Sequence, residues 1–352
     1  RVSSARADFT PQAIDVQDFT AQLGKSDVAA SGRITTPLAY FSPEQTMRGE
    51  LTLRSTFFDA DEWMPAEEEA TVSPAELAAA GTTTETEVFD RFDFDVDATI
   101  DRLNYAGYQP ENLRAIGNIK PNQLEIATAN AQLGESSFTG SGTITNLFDY
   151  TFSDGVLGGN LSVRSPFLDL ADFMDEEVAV APGTAPAEEE AASAVVPVPD
   201  NINLNVDVRA DKVKYTNVTL NELAGQLLVQ GGQAVLDKGS AALLGGRMNF
   251  AGAYDTSEPG DPGFRFHYDL KSLDFQQAFT TLNSFAALAP VGKFLQGTFS
   301  TDLVLEGKLG PDLFPKLGTL DAQGLFQTAE ARIADFKPVQ KIGQALDIET
   351  LK

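Results

Sequence analysis

Apolar and polar residues alternate along most of this chain. In Phe92-Asp93-Phe94-Asp95-Val96-Asp97-Ala98-Thr99-Ile100 every second residue is apolar. Ile202, Leu204, Val206 and Val208 repeat the pattern, separated by Asn203, Asn205 and Asp207. Met248 and Phe250 follow it, as do Phe264, Phe266, Tyr268 and Leu270, and then Phe299, Leu303 and Leu305. Period two places one set of side chains on each face of a strand. Each such segment is therefore predicted to be a strand with one apolar and one polar face.

Turn signals recur about every ten to twelve residues, as at Tyr105-Ala106-Gly107, Gln230-Gly231-Gly232 and Glu258-Pro259-Gly260. Short connections favour antiparallel neighbours. About 24 strands are expected, a ladder on the order of 110 Å if unbroken. Helical periodicity is rare. Phe275, Phe279, Leu282, Phe285 and Leu288 predict a helix over about 274–289, ended by Ala289-Pro290. Pro338 to Leu351 is a second candidate.

The chain repeats itself. Ala21-Gln22-Leu23-Gly24, Ser31-Gly32, Ile34-Thr35 and Arg54-Ser55 recur as Ala131-Gln132-Leu133-Gly134, Ser141-Gly142, Ile144-Thr145 and Arg164-Ser165. Every match is offset by 110 positions, and 17 of the 44 positions from Ala21 to Met64 are identical. Chance would give roughly one in fifteen, so this is a true internal repeat. The offset reaches a third copy through Val206-Asp207, Tyr215, Leu223 and Gly252, and Lys271-Ser272 stands where Arg164-Ser165 stood.

These matches divide the chain into a partial β-unit at 1–59, a second at 89–174 and a third at 201–352. Segments 60–88 and 175–200 stand outside the pattern. They carry Pro65-Ala66-Glu67-Glu68-Glu69 and Pro186-Ala187-Glu188-Glu189-Glu190. Both are rich in Ala, Glu and Pro and read as solvated, disordered acidic insertions.

Few helices are available to cover the apolar faces. Either two sheets pack as sandwiches, or a long curved antiparallel sheet leaves an open apolar groove. A bare trough of that size would demand a ligand. Alternation alone does not choose between the two.

Charge and composition remove several functions. The net charge is −26, which would repel nucleic-acid phosphates and exclude that partner class. Cysteine is absent and His267 is the one histidine. Thiolate sites, histidine metal clusters and histidine triads are thereby excluded. No nucleophile-elbow, P-loop or paired-histidine zinc motif occurs, so neither an enzyme nor a cofactor is expected. Asp93, Asp95, Asp97 and Asp101 read as a solvated strand face rather than a calcium site. His267 reads as a surface residue. Arg54-Ser55, Arg164-Ser165 and Lys271-Ser272 read either as strand ends or as phosphate contacts at a groove rim. No stretch approaches the ~20 apolar residues of a membrane span. The chain opens at Arg1 and ends in a helix-like pattern, so an anchoring segment is expected outside it.

The third unit carries a family resemblance. Phe275-Gln276-Gln277-Ala278-Phe279 precedes Leu295-Gln296-Gly297-Thr298-Phe299-Ser300-Thr301-Asp302-Leu303-Val304-Leu305-Glu306-Gly307. Leu313-Phe314-Pro315, Gly324-Leu325, Ala329-Glu330-Ala331-Arg332-Ile333 and Phe336-Lys337-Pro338-Val339 follow. This succession, over roughly 200–352, resembles the C-terminal region of the AsmA-like family of Gram-negative envelope proteins. No single motif is diagnostic; the order of the features carries the resemblance. The acidic insertions depart from the family core.

The resemblance implies kinship with bridge-like lipid-transfer proteins. It implies a periplasmic β-groove, tethered to the inner membrane by an anchor elsewhere, that binds phospholipid or another acyl lipid and supports its transfer to the outer membrane. The lining would comprise Phe92, Phe94, Val96, Ile100, Leu204, Val206, Val208, Met248, Phe250, Phe264, Phe266, Phe299, Leu303 and Leu305. The competing reading is a structural or adhesive envelope repeat with filled sandwich cores.

Overall fold

The computed structural model describes residues 1–42, 44–63, 91–105, 107–152, 155–173, 198–258, 260–282, 290–310 and 315–333. The chain is mainly β, as its alternation predicts. The described strands form a large mixed sheet that does not close, and two α-helices occur among the described residues.

Strand β1 is Val2–Phe9, β2 Ala13–Leu23, β3 Ser26–Thr35, β4 Met47–Ser55 and β5 the short Phe58–Asp59. The second repeat contributes β6 (Phe92–Asn104), β7 (Glu111–Lys120), β8 (Gln123–Leu133), β9 (Ser136–Thr145), helix α1 (Leu147–Phe152), β10 (Leu157–Ser165) and β11 (Leu168–Asp169). The third contributes β12 (Ile202–Tyr215), β13 (Val218–Gln230), β14 (Gln233–Leu243), β15 (Gly246–Asp255), β16 (Gly263–Asp274) and helix α2 (Phe275–Thr281). Strands β17 (Leu295–Lys308) and β18 (Asp321–Ile333) follow. Among the described residues there are 18 named strands, where turn spacing predicts about 24 over the chain, and most of them run for nine to fourteen residues.

The chain divides into two compact units: residues 1–166 with 201–207, and residues 167–200 with 208–352. In the first unit, β1 to β4 pair antiparallel in chain order, as do β6 to β10. Strands β4 and β6 pair parallel, with Leu51 beside Val96. This step departs from the wholly antiparallel expectation. Parallel neighbours need a long crossover, and residues 56–91, most of which lie outside the described residues, join the two strands. In the second unit, β13 to β18 pair antiparallel in chain order, and β11 lies parallel to the end of β12.

The repeat is structural down to single residues. A register shift falls between Val16 and Phe19 in β2, between Ile126 and Ala129 in β8, and between Leu236 and Gly239 in β14. These positions differ by 110 throughout. A bulge bends its strand and increases the local twist, so every repeat carries the same bend. Left-handed backbone recurs at the same offset: Gly24, Gly134 and Leu244 have φ of 60°, 54° and 46°, and Thr36 and Asn146 have 56° and 61°.

Among the described residues, a compact apolar core gathers around α2. The Asp274 carboxylate caps this helix by accepting from the Gln277 amide at 2.8 Å. Its inner face brings Phe275 and Ala278 against Leu273, Phe299, Met248, Leu243 and Ala241. The Phe275 and Phe299 rings lie 4.9 Å apart. The helix begins where the sequence predicts. Residues 283–289 of the expected helix, the candidate helix at 338–351 and nearly all of both acidic insertions lie outside the described residues.

Candidate functional site: two uncovered apolar faces

The strand registers assemble the alternating residues into transverse rows. In the first unit one row runs Phe9, Ile14, Ile34, Gly49, Phe94, Ile119, Leu124, Ile144, Gly159. The next runs Ala7, Val16, Gly32, Leu51, Val96, Gly117, Ile126, Gly142, Leu161. Leu204 lies against Gly159 and extends the first row. Phe92 stacks on Phe94 at 5.4 Å and meets Phe148 of α1 edge-on at 5.8 Å. Ile100 lies opposite Leu113. Of the expected lining, Phe92, Phe94, Val96, Ile100, Leu204 and Val206 thus belong to this unit.

The second unit repeats the arrangement. One row runs Leu227, Leu236, Gly252, Phe266, Leu305, Ala322, and another joins Phe250, Tyr268, Leu303 and Gly324. Phe264, Phe266 and Tyr268 stack along β16 with centroids 5.9 Å apart at each step. Burial pushes the Tyr268 and Tyr254 phenols above their ordinary pKa. Met248 and Phe299 are also on this face, but they belong to the α2 core. Val208 is half-buried on β12.

These rows are only half covered. In the first unit Phe92 is buried, yet Phe94, Val96, Ile100, Leu51, Ile34, Ile119 and Leu124 remain only half-buried. The central residues of a filled sandwich would be buried outright. In the second unit Phe326 is exposed at 53%.

Alternation located only part of this face. Ile34, Leu51, Ile119, Ile144 and Leu161 each share their strand face with a glycine two residues away, which weakens the apolar alternation; Leu124, Ile126, Leu227 and Leu236 also line the rows. Those glycines are needed for space. A methyl on Gly32, Gly117 or Gly142 would collide with the backbone of the neighbouring strand, and one on Gly252 with the Phe266 ring. The repeated pairs Gly49/Gly159 and Leu51/Leu161 were the available signal.

The opposite face is polar. Asp15, Arg33, Glu50, Asp95, Asn118 and Glu125 lie side by side across the first unit. Arg33 pairs with Asp15 at 3.0 Å and Arg114 with Asp97 at 2.9 Å. The Asn118 amide donates to both Asp93 and Asp95, at 2.8 and 2.9 Å. The aspartates of β6 therefore serve the polar face. No group of three acidic or histidine side chains is placed to hold a metal among the described residues. Two depressions, of about 640 and 890 Å³, open on this polar face rather than on the apolar one. His267 is exposed and lies 3.0 Å from Asp302.

The repeated Arg-Ser pairs end strands. Ser55 and Ser165 are buried at the last positions of β4 and β10, while Arg54 and Arg164 are exposed. Arg54 lines a depression of the polar face and not a rim of the apolar one. In the first repeat, a carboxylate clamp lies just beyond this strand end. Asp59 is buried and accepts from Asn104 at 2.9 Å and from Lys25 at 3.1 Å. Its own amide donates to Ser26, which is fully buried. At the equivalent place in the second repeat, Asp169 accepts from Lys214 at 2.6 Å. Hydrogen bonds from Asn104 and Lys25 hold the Asp59 carboxyl below the usual carboxylate range, and Lys214 does so for Asp169.

A carboxylate with a depressed folded-state pKa stabilises fully above its unfolded pKa, near 3.9. That contribution falls away as pH drops through the unfolded value toward the folded one. Urea midpoints of wild type and Asp59→Asn, measured from pH 7 to pH 3, are therefore expected to converge in the acid range. Taking the difference between the two proteins cancels the general relief of charge repulsion that acidification brings to so acidic a chain. A constant gap across that range would rule the clamp out.

Among the described residues no helix is long and apolar enough to cross a membrane. No known family model matches the chain, and no curated protein matches it in sequence.

Proposed function

We propose that this chain is a lipid-holding segment of an AsmA-like envelope protein. On this reading its uncovered apolar faces bind the acyl chains of phospholipid or a similar lipid. The observation that carries the reading is the set of continuous apolar rows whose central residues are only half-buried. Each methylene removed from water contributes about 0.8 kcal/mol, and the rows contain no polar group that would fix a headgroup. Many equivalent weak contacts let a lipid slide along the face, which suits transfer between membranes. Placement in the periplasm, tethered to the inner membrane through an anchor outside this chain, rests on the family resemblance. So does a role in supplying the outer membrane.

Native mass spectrometry with lipid extraction, on protein purified gently from a Gram-negative host, tests the proposal. Phospholipid is expected to co-purify in several copies per chain. Phe94→Asp and Val206→Asp are expected to lose that lipid while keeping the circular dichroism spectrum, because each side chain is half-exposed already. A lipid-free, folded monomer would overturn the reading in favour of a structural or adhesive repeat. Unfolding of both variants would do the same, because a charge in a filled core costs several kcal/mol.

A further inference from the structure

Of the expected lining in the first unit, Phe92 alone is buried outright, and the cause is local. Phe92 is 7% exposed, whereas Phe94, Val96, Ile100, Leu204 and Val206 are half-buried. The ring set edge-on against Phe92, at 5.8 Å, belongs to Phe148 of α1. Helix α1 connects β9 to β10, but Phe92 opens β6, three strands away from β9. Three strand spacings are about 14 Å. The connection therefore does not turn straight from β9 into β10. It reaches back past β8 and β7 and lays its aromatic side on the apolar face.

The other side of α1 reaches toward the far end of the same strand. Tyr105 follows the last residue of β6. Burial, and after it the phenol of Tyr150 on α1, pushes the Tyr105 phenol above its ordinary range. Such an influence is screened beyond about 10 Å. A straight strand of 13 residues would hold its ends on the order of 40 Å apart. Strand β6 therefore curls, and α1 lies between its two ends. The seat is light. Leu147, Phe148 and Tyr150 are half-buried, whereas Phe275 and Ala278 of α2 are 1% and 0% exposed. Segments with few buried apolar contacts open at low cost. Asn146, just before α1, has left-handed backbone (φ 61°), and its amide donates to the Asn122 carbonyl at 2.8 Å. That bond fixes the point about which the helix can swing.

We propose that α1 is a strap over the apolar face of the first unit, pivoting at Asn146, which lifts to admit an acyl chain from the side and seats to retain it. This inference rests on the lipid reading and adds to it a control of rate. The strap sets how fast lipid enters and leaves, and the apolar rows set how much is held. In the third repeat the same connection, 110 positions on, carries no helix among the described residues, so this control belongs to the first unit.

The chain holds no cysteine of its own, so the strap can be tied down selectively. Phe92→Cys and Phe148→Cys are combined in the full chain and bridged by a short bis-methanethiosulfonate, which a reductant removes. Uptake of a fluorescent phosphatidylethanolamine is followed from vesicles of phosphatidylethanolamine and phosphatidylglycerol. The bridge is expected to slow uptake about tenfold, and reduction to restore it. Phe148→Ala is expected to speed lipid release while leaving the number of lipids held at equilibrium unchanged. In lipid-free protein the Tyr150 amide, bonded to the Asn146 carbonyl at 2.9 Å, is expected to exchange its hydrogen well before the amides of β8 and β9. Should the double cysteine variant fail to fold, Phe148→Ala and the Tyr150 amide decide. Equal uptake with and without the bridge, by protein that does hold lipid, would overturn the strap and leave the lipid reading standing. So would a Tyr150 amide as protected as those of β9. Failure of every form to take up lipid would overturn both.

Discussion

Phe275→Ala is expected to destabilise the second unit by about 3–5 kcal/mol. Phe275 is 1% exposed and anchors the cluster in which Leu273, Ala278 and Phe299 are also buried. Its removal leaves a cavity between α2 and the sheet, on rigid strands that cannot collapse to fill it. The Asp274 cap and the Leu273–Phe299 pairing of β16 with β17 depend on that helix being seated. The loss should appear as a lower urea midpoint and as faster hydrogen exchange in β16 and β17. Phe94→Ala provides the contrast. The same ring is removed from a half-buried site, where about 1–2 kcal/mol of transfer energy is at stake and no closed cavity forms. Equal costs for the two variants would mean that the apolar face of the first unit is packed like a core.

The second large effect is at a glycine. Gly142 has φ of 148°, a backbone region open essentially to glycine alone, and an added methyl would strike the carbonyl of Asn160 on β10. Gly142→Ala is expected to cost about 3 kcal/mol, the upper end of the range for such strain, because the obstacle is backbone and cannot swing aside. Gly140→Ala, two residues away on β9, is the control. There the nearest atom to the new methyl is the Ser162 carbonyl oxygen at 3.6 Å, and φ is ordinary. That substitution is expected to be neutral or to stabilise by up to about 1 kcal/mol, through a less flexible unfolded chain. Thermal unfolding of both variants checks the pair. If Gly142→Ala melts with wild type, the close approach of β9 and β10 is not a requirement of the fold.

Much of this architecture is legible in the amino-acid order. Alternation in Phe92 to Ile100 and in Ile202 to Val208 marks strands with one apolar face, because side chains on a pleated strand point to opposite sides in turn. The offset of 110 between Ala21-Gln22-Leu23-Gly24 and Ala131-Gln132-Leu133-Gly134 marks repeated units, and the strands of those units do fall at that offset. The helix at Phe275 is announced by its apolar period. In each of these cases the determining interaction is local, so a window of a few residues contains it.

What the sequence left open depends on residues far apart in the chain. Whether the apolar face is filled or bare is a property of what packs over it, and alternation reads the same in both cases. The parallel step from β4 to β6 joins segments separated by residues 56–91, where no periodicity reaches. The bulges after Val16, Ile126 and Leu236 follow from pairing register, not from any residue that marks a bulge. Leu244 adopts the left-handed backbone that Gly24 and Gly134 adopt at equivalent turns. No local preference of leucine would place it there. The hairpin between β14 and β15 imposes that conformation on Leu244, and the pairing of two whole strands outweighs a cost of about 1–2 kcal/mol at one residue.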